Sequence, residues 1–159
     1  MPLWREKRER NALKVQHLCI SLIAIFLFGC TSAPEKPGAD AVLPPCGPLP
    51  NCVNSHSGKG GSAIAPLQAT AEQWQELKRW LGTQDNWTIH VEAADFVQAV
   101  VKTPLMRFRD DVQLLYNPRT GVIQVRSSSR LGISDMGTNR SRVESLRAHL
   151  AGEAAPGAP

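Results

Sequence analysis

The sequence predicts an α+β domain: a four-stranded, mostly antiparallel sheet with two helices packed on one side, in a single small unit. Three observations carry that expectation. Residues 71–81 repeat apolar side chains at helical spacing, and residues from about 139–141 to 150 do so again. Between them lie four short runs with strand character, separated by turn residues. Helix, four strands, helix is the order of a sheet whose helices share one face.

Each element has its own local reason. Thr70 and Gln73 stand three apart at the start of the first helix, the spacing of a capping box. Trp74, Leu77 and Leu81 fall on one face of it, and Gly82 supplies a stop. The strands are expected at 88–92, 96–103, 111–116 and 122–127. In the first, Ile89, Val91 and Ala93 alternate with His90 and Glu92, which marks a half-buried strand. Asn117-Pro-Arg-Thr-Gly121 is turn chemistry joining the last two. Val112, Leu114 and Tyr116 share one face there, as do Ile123, Val125 and Ser127. A one-residue slip would set those faces against each other, so burial favours Tyr116 beside Ile123 and Leu114 beside Val125. The opposite face then carries Asp111, Gln113, Gln124 and Arg126, with Asp111 and Arg126 as diagonal neighbours in reach of an ion pair. In the second helix Val143, Leu146 and Leu150 form the buried stripe, and Ser141 with Glu144 is a second capping-box candidate.

The chain has 159 residues, room for one domain. Its 42% apolar and 20% charged content excludes collagen, coiled coil and multi-span membrane protein. The net charge of +4 invites a nucleic-acid reading until it is located. Residues 1–29 hold Arg5, Lys7, Arg8, Arg10 and Lys14 against Glu6 and Glu9, a net of +3; the remainder carries only +1. A nearly neutral domain without a basic stripe argues against nucleic acid as a partner.

The basic start is followed by an 11-residue apolar run, residues 18–28, too short for a comfortable bilayer span but of the length of a secretory h-region. Leu27-Phe28-Gly29-Cys30 resembles the lipobox of bacterial lipoproteins, with Phe28 bulkier than the Ala or Ser common at its position. The resemblance implies cleavage before Cys30, diacylglycerol on its thiol and acylation of the new amino terminus. Two or more acyl chains hold a protein on a membrane stably where one does not. Thr31, in place of the Asp that often retains lipoproteins in the inner membrane, favours the outer membrane, facing the periplasm. The expected organisation is therefore signal peptide 1–29, Pro/Ala-rich tether 30–45, globular domain 46–150 and disordered tail 151–159.

With Cys19 removed and Cys30 lipidated, Cys46 and Cys52 remain, an even pair in a compartment where disulfides persist. The competing reading is a metal site of Cys46, Cys52 and His56 completed by His90 or His149, but structural zinc favours tighter cysteine spacing. No metal and no cofactor is expected. Gly58-Lys59-Gly60-Gly61-Ser62 lacks the upstream Gly, the Lys-Ser/Thr pair and the preceding strand of a phosphate loop, and reads as a flexible loop.

Pro50-Asn-Cys-Val53, Phe108-Arg-Asp-Asp-Val112 and above all Val125-Arg-Ser-Ser-Ser-Arg-Leu-Gly-Ile-Ser-Asp-Met-Gly-Thr-Asn-Arg140 resemble domain-of-unknown-function family 1499, over about residues 46–150. Asn54, Gln113 and Ile133 depart from its pattern. The resemblance implies an envelope location, and it carries over no catalytic residues.

The chemistry on offer is an arginine-rich passage between the last strand and the second helix. Arg126, Arg130, Asn139 and Arg140 are the candidate anion-binding residues, suited to a phospholipid headgroup, a lipopolysaccharide phosphate or a peptidoglycan carboxylate. The structural alternative has Arg126 paired with Asp111, and Asp135 and Asn139 satisfying orphan N–H groups at the turn. An enzyme would draw on Ser127, Ser128, Ser129 or Ser134, with His90 or His149 and Asp110 or Asp111, centred on Asp111, Arg126 and Ser128. No Gly-x-Ser-x-Gly elbow frames any of these serines, and Asp110 and Asp111 alternate faces in a strand. The expectation is a lipid-anchored envelope protein whose domain is a binding or structural module, with an envelope hydrolase as the alternative.

Overall fold

The computed structural model describes residues 42–153. The expected leader, the lipidation of Cys30, most of the tether and most of the tail lie outside the described residues.

Six strands and two long helices make up the domain. β1 is Cys52–Asn54, β2 Leu67–Gln68, β3 Trp87–Glu92, β4 Phe96–Lys102, β5 Arg109–Asn117 and β6 Val122–Ser129. α1 is Ala71–Gly82 and α2 is Thr138–Leu150. All ladders are antiparallel in the order β1-β6-β5-β4-β3, and β2 also pairs with β6. The α+β class and the single helical side hold; the count of four strands is corrected to six. β1 and β2 have three and two residues, too short to display an alternation, and both lie along the outer edge of β6. They cover an edge that would otherwise present unpaired N–H and C=O groups.

The hairpin register is the one that burial demands: Leu114 faces Val125 and Tyr116 faces Ile123. Their face, with Val97 and Val101 of β4, meets Trp74, Leu77 and Leu81 of α1 and Val143 and Leu146 of α2. Trp74 is the largest of these side chains. It stacks on Tyr116 with ring centroids 5.4 Å apart, and its Nε1 donates to the carbonyl of Ala94 at 2.7 Å. The capping box of α1 is formed in both directions, Gln73 N donating to Thr70 Oγ1 at 3.2 Å and Thr70 N to Gln73 Oε1 at 2.8 Å.

The second helix starts at Thr138, beside the expected opening, but its cap differs from the expectation. Ser141 and Glu144 lie inside it: Ser141 N donates to the Gly137 carbonyl, and Glu144 pairs with Arg147 at 2.9 Å. The start is organised by Asp135, whose Oδ1 accepts from Gly137 N and whose Oδ2 accepts from Asn139 N, each at 3.0 Å. Gly137 sits at φ 84°, where a side chain would be strained, and this lets the chain turn into the helix.

Cys46 and Cys52 are joined, with Cα atoms 5.7 Å apart. The bond holds the chain before β1 against the strand and, in the chain-entropy picture, contributes about 2 kcal/mol for so short a loop.

Candidate functional site

Strand alternation divides the polar residues of β5 and β6 between two faces, and the two sets have different characters. On the helical face, Asp110 and Ser127 meet Asn139 and Arg142 of α2. Arg142 Nη2 donates to Asp110 Oδ2 at 2.6 Å, and Nη1 donates to Ser127 Oγ at 2.8 Å and Asn139 Oδ1 at 2.7 Å. Asn139 Nδ2 donates to the Asn51 carbonyl and Ser129 Oγ, both at 3.0 Å, and to Asp135 Oδ2 at 2.6 Å. Asp110 and Asn139 are buried. This network ties α2 to β5, to β6 and to the residue before β1, and its donors are spent on the fold.

The helix-free face is organised in straight cross-strand rows. Gln98, Gln113, Arg126 and Asn54 are successive partners across β4, β5, β6 and β1, and Val100, Asp111, Ser128 and Cys52 form the next row. Asn54 Nδ2 donates to the Pro44 carbonyl at 2.7 Å, which fastens the chain before the disulfide to this face. Gln113 is 0% and Gln98 2% exposed. Yet Gln98 Oε1, both amide atoms of Gln113 and Arg126 Nε make no hydrogen bond among the described residues. Buried polar atoms are normally paired, and this row holds four of the six buried side-chain atoms without a partner among the described residues.

Electrostatics single out Arg126 within that row. Asp111 is held by Arg130 through two prongs, Nε to Oδ2 at 2.9 Å and Nη2 to Oδ1 at 2.8 Å. The expected pair of Asp111 with Arg126 is therefore corrected to Asp111 with Arg130. That bond raises the Arg130 pKa further above the ordinary arginine range. Burial pulls Arg126 below that range, and the more distant charge of Asp111 offsets this only in part. Arg126 is a partly desolvated cation without a carboxylate of its own.

The four candidate anion ligands do not converge. Arg126 lies on the helix-free face and Arg130 turns back onto Asp111 there. Asn139 is in the network on the opposite face, and Arg140 Nη2 donates to the carbonyls of Gly61 at 3.0 Å and Ala63 at 2.7 Å. The passage between β6 and α2 is a folded corner, because alternation along β6 and the turn into α2 send its side chains to different sides. A surface cleft of ≈ 510 Å³ beside that corner is lined by Lys59, Asp135 and Arg140 among others, the last two already committed to backbone groups.

Ser128 stands directly across from Asp111, and Arg126 is two residues along the same strand and face. Neither candidate histidine joins them. His90 lies at the register shift between Ile89 and Val91 on edge strand β3, and His149 stacks on Trp80 at 4.1 Å on the helical side. Among the described residues no cluster of three or more His, Cys, Asp or Glu is placed to hold a metal, and no helix is long and apolar enough to cross a membrane.

A family model described as a protein of unknown function, DUF1499, matches residues 42–150. The chain belongs to the DUF1499 family. No curated protein and no solved structure matches it. The DUF1499 match spans the domain from the segment fastened by Asn54 to the last residue of α2. Residues missed in the sequence were Asp110 and Arg142 as a pair and Gln98 and Gln113 as a row. Gln113 stood on the polar side of the expected alternation, so nothing in the sequence marked it or Gln98 as buried.

Proposed function

We propose that this DUF1499 chain is a lipid-anchored envelope protein, held by acyl chains on Cys30 in the outer membrane and facing the periplasm. Its domain is a binding module for an anionic group of the envelope, a lipid phosphate or a peptidoglycan carboxylate. The reading rests on two neighbouring donors in the row of Gln98, Gln113 and Arg126: Arg126 Nε and Gln113 Nε2, both unpaired among the described residues. A guanidinium Nε–H and an adjacent amide N–H together suit the oxygens of a carboxylate or phosphate. Because burial disfavours the charge on Arg126, keeping it weakens the fold at every pH below strongly alkaline, a penalty that a bound anion would offset.

Arg126→Gln in the full chain tests the site. Titrated with soluble peptidoglycan fragments, inorganic phosphate and phosphatidylglycerol vesicles in separate calorimetric runs, the wild type is expected to bind one of the three. The variant is expected to bind it roughly ten- to hundredfold more weakly, as for a lost charged hydrogen bond, with thermal stability unchanged or raised. Equal affinities would overturn the site. The anchor is tested by intact mass of membrane-extracted protein: a chain starting at an acylated Cys30 supports it, and an unmodified chain retaining residues 1–29 contradicts it.

A second reading, catalysis around Asp111, Arg126 and Ser128, is favoured by the register that sets Ser128 opposite Asp111. It predicts that Ser128→Ala abolishes turnover of an envelope ester while leaving anion binding intact.

A further inference from the structure

Eight large apolar side chains are exposed among the described residues, and seven of them sit on three loops at one end of the sheet. Leu105, Met106 and Phe108 are in the β4–β5 connection, and Leu131, Ile133 and Met136 lie between β6 and α2. Leu49 joins them from the segment before β1. Met136 is 98% exposed, Leu105 90% and Ile133 77%. Backbone pairing gathers the three loops. Lys102 faces Arg109 where β4 meets β5, and Arg130 N donates to the Arg109 carbonyl at 3.1 Å. Asn51 Nδ2 donates to the Gly132 carbonyl at 2.8 Å, and Asp135 N to the Pro50 carbonyl at 3.4 Å. The β5–β6 turn at the other end carries Asn117, Pro118, Arg119 and Thr120.

Unpaired cations outnumber unpaired acids at this end, where exposed Asp85, ahead of β3, is an acid without an ion pair among the described residues. Lys102, Arg107 and Arg109 form no ion pair among the described residues, while the other nearby acids are engaged: Asp110 with Arg142, Asp111 with Arg130, Asp135 at the start of α2. Arg107 and Met136, at φ 53° and 51°, are the two non-glycine residues with positive φ among those described, and both lie in these loops. Strained backbone tends to persist where a surface has a task.

We infer that this end is a membrane-docking surface, whose apolar loop tips enter the interfacial layer of a phospholipid bilayer while Lys102, Arg107 and Arg109 meet anionic headgroups. Exposed apolar tips beside unpaired cations match the two layers of such a surface, hydrocarbon below and phosphate above. The inference rests on the lipid-anchor reading for its membrane. Cys30 precedes Cys46 by 16 residues, a reach of roughly 55 Å when extended. The disulfide fixes Cys46 beside Cys52, next to Asn51 in the docking end. The anchoring bilayer is thus within reach of the loops.

Leu105→Trp and Arg119→Trp, made separately in the full chain, place a reporter at each end. Each is reconstituted into vesicles of phosphatidylethanolamine and phosphatidylglycerol with brominated acyl chains, and quenching is taken relative to the unsubstituted protein. The expected result is an added quenched component for Leu105→Trp, smaller in phosphatidylcholine vesicles, and none for Arg119→Trp. No added quenching at position 105, or equal quenching at both positions, would overturn the inference. So would a lipid-free dimer, seen by sedimentation velocity, that Leu105→Ser dissociates, since it would assign the patch to a second copy. Intact mass separates this test from the anchor: quenching at position 105 in an unacylated chain supports docking and removes the anchor, whereas an acylated chain without quenching keeps the anchor and removes docking.

Discussion

Arg142→Met is expected to lower the unfolding free energy by about 3–5 kcal/mol, read as a shift of the denaturant midpoint at constant slope. The guanidinium reaches Asp110 Oδ2 at 2.6 Å and also donates to Ser127 Oγ and Asn139 Oδ1. Asp110 is 1% exposed, and its Oδ1 has no hydrogen-bond partner among the described residues. Removing the arginine leaves a carboxylate without water or cation, and the apolar stem of methionine supplies no donor. The double variant Asp110→Asn with Arg142→Met is expected to lose less than the single one, because no uncompensated charge stays buried. Equal losses would mean that packing of the arginine stem, and not the buried charge, supports this corner.

Trp74→Ala is expected to cost about 3–5 kcal/mol, which for a domain near 100 residues moves the thermal midpoint by tens of degrees. Trp74 fills the space between α1 and the sheet, stacks on Tyr116 and satisfies the Ala94 carbonyl. Trp74→Phe keeps an aromatic face and loses the Nε1 donor, so it is expected to recover most of that loss and leave about 1 kcal/mol. Thermal unfolding followed by circular dichroism checks both. A Trp74→Ala protein within 1 kcal/mol of the wild type would mean that α1 contributes little to the core.

Much of the fold was legible because it depends on period. Residues 71–81 and 143–150 repeat at helical spacing, and Val112 to Ser127 alternates cleanly around a five-residue turn, so side and register follow from burial alone. β1 and β2 were not legible, since three or two residues between prolines and glycines carry no period. The cap of α2 is not the Ser-x-x-Glu pattern at 141–144, which imitates one; Asp135 and Gly137 achieve the turn through a positive φ that sequence spacing does not display.

The ion pair shows the same limit at the level of one residue. Asp111 faces Ser128, so Arg126 and Arg130 are both its diagonal neighbours, two residues to either side. An expected strand end at Ser127 left only Arg126 in place. In the structure β6 continues to Ser129 and Arg130 N reaches Arg109, which sets the Arg130 side chain on Asp111. That exchange of partners leaves Arg126 without a carboxylate of its own. The Asp110–Arg142 pair required knowing where α2 lands on the sheet, a tertiary fact that no local pattern holds.

The Arg126 Nε–Hε resonance, observed by nitrogen-15 correlation spectroscopy during titration of the full chain with peptidoglycan fragments, inorganic phosphate and phosphatidylglycerol vesicles in turn, reports on anion binding at Arg126 itself. A saturable shift of that resonance with one of these anions, accompanied by the side-chain amide of Gln113, is the expected result. An Arg126 signal unmoved by all three, while signals elsewhere on the domain shift to saturation, would contradict it.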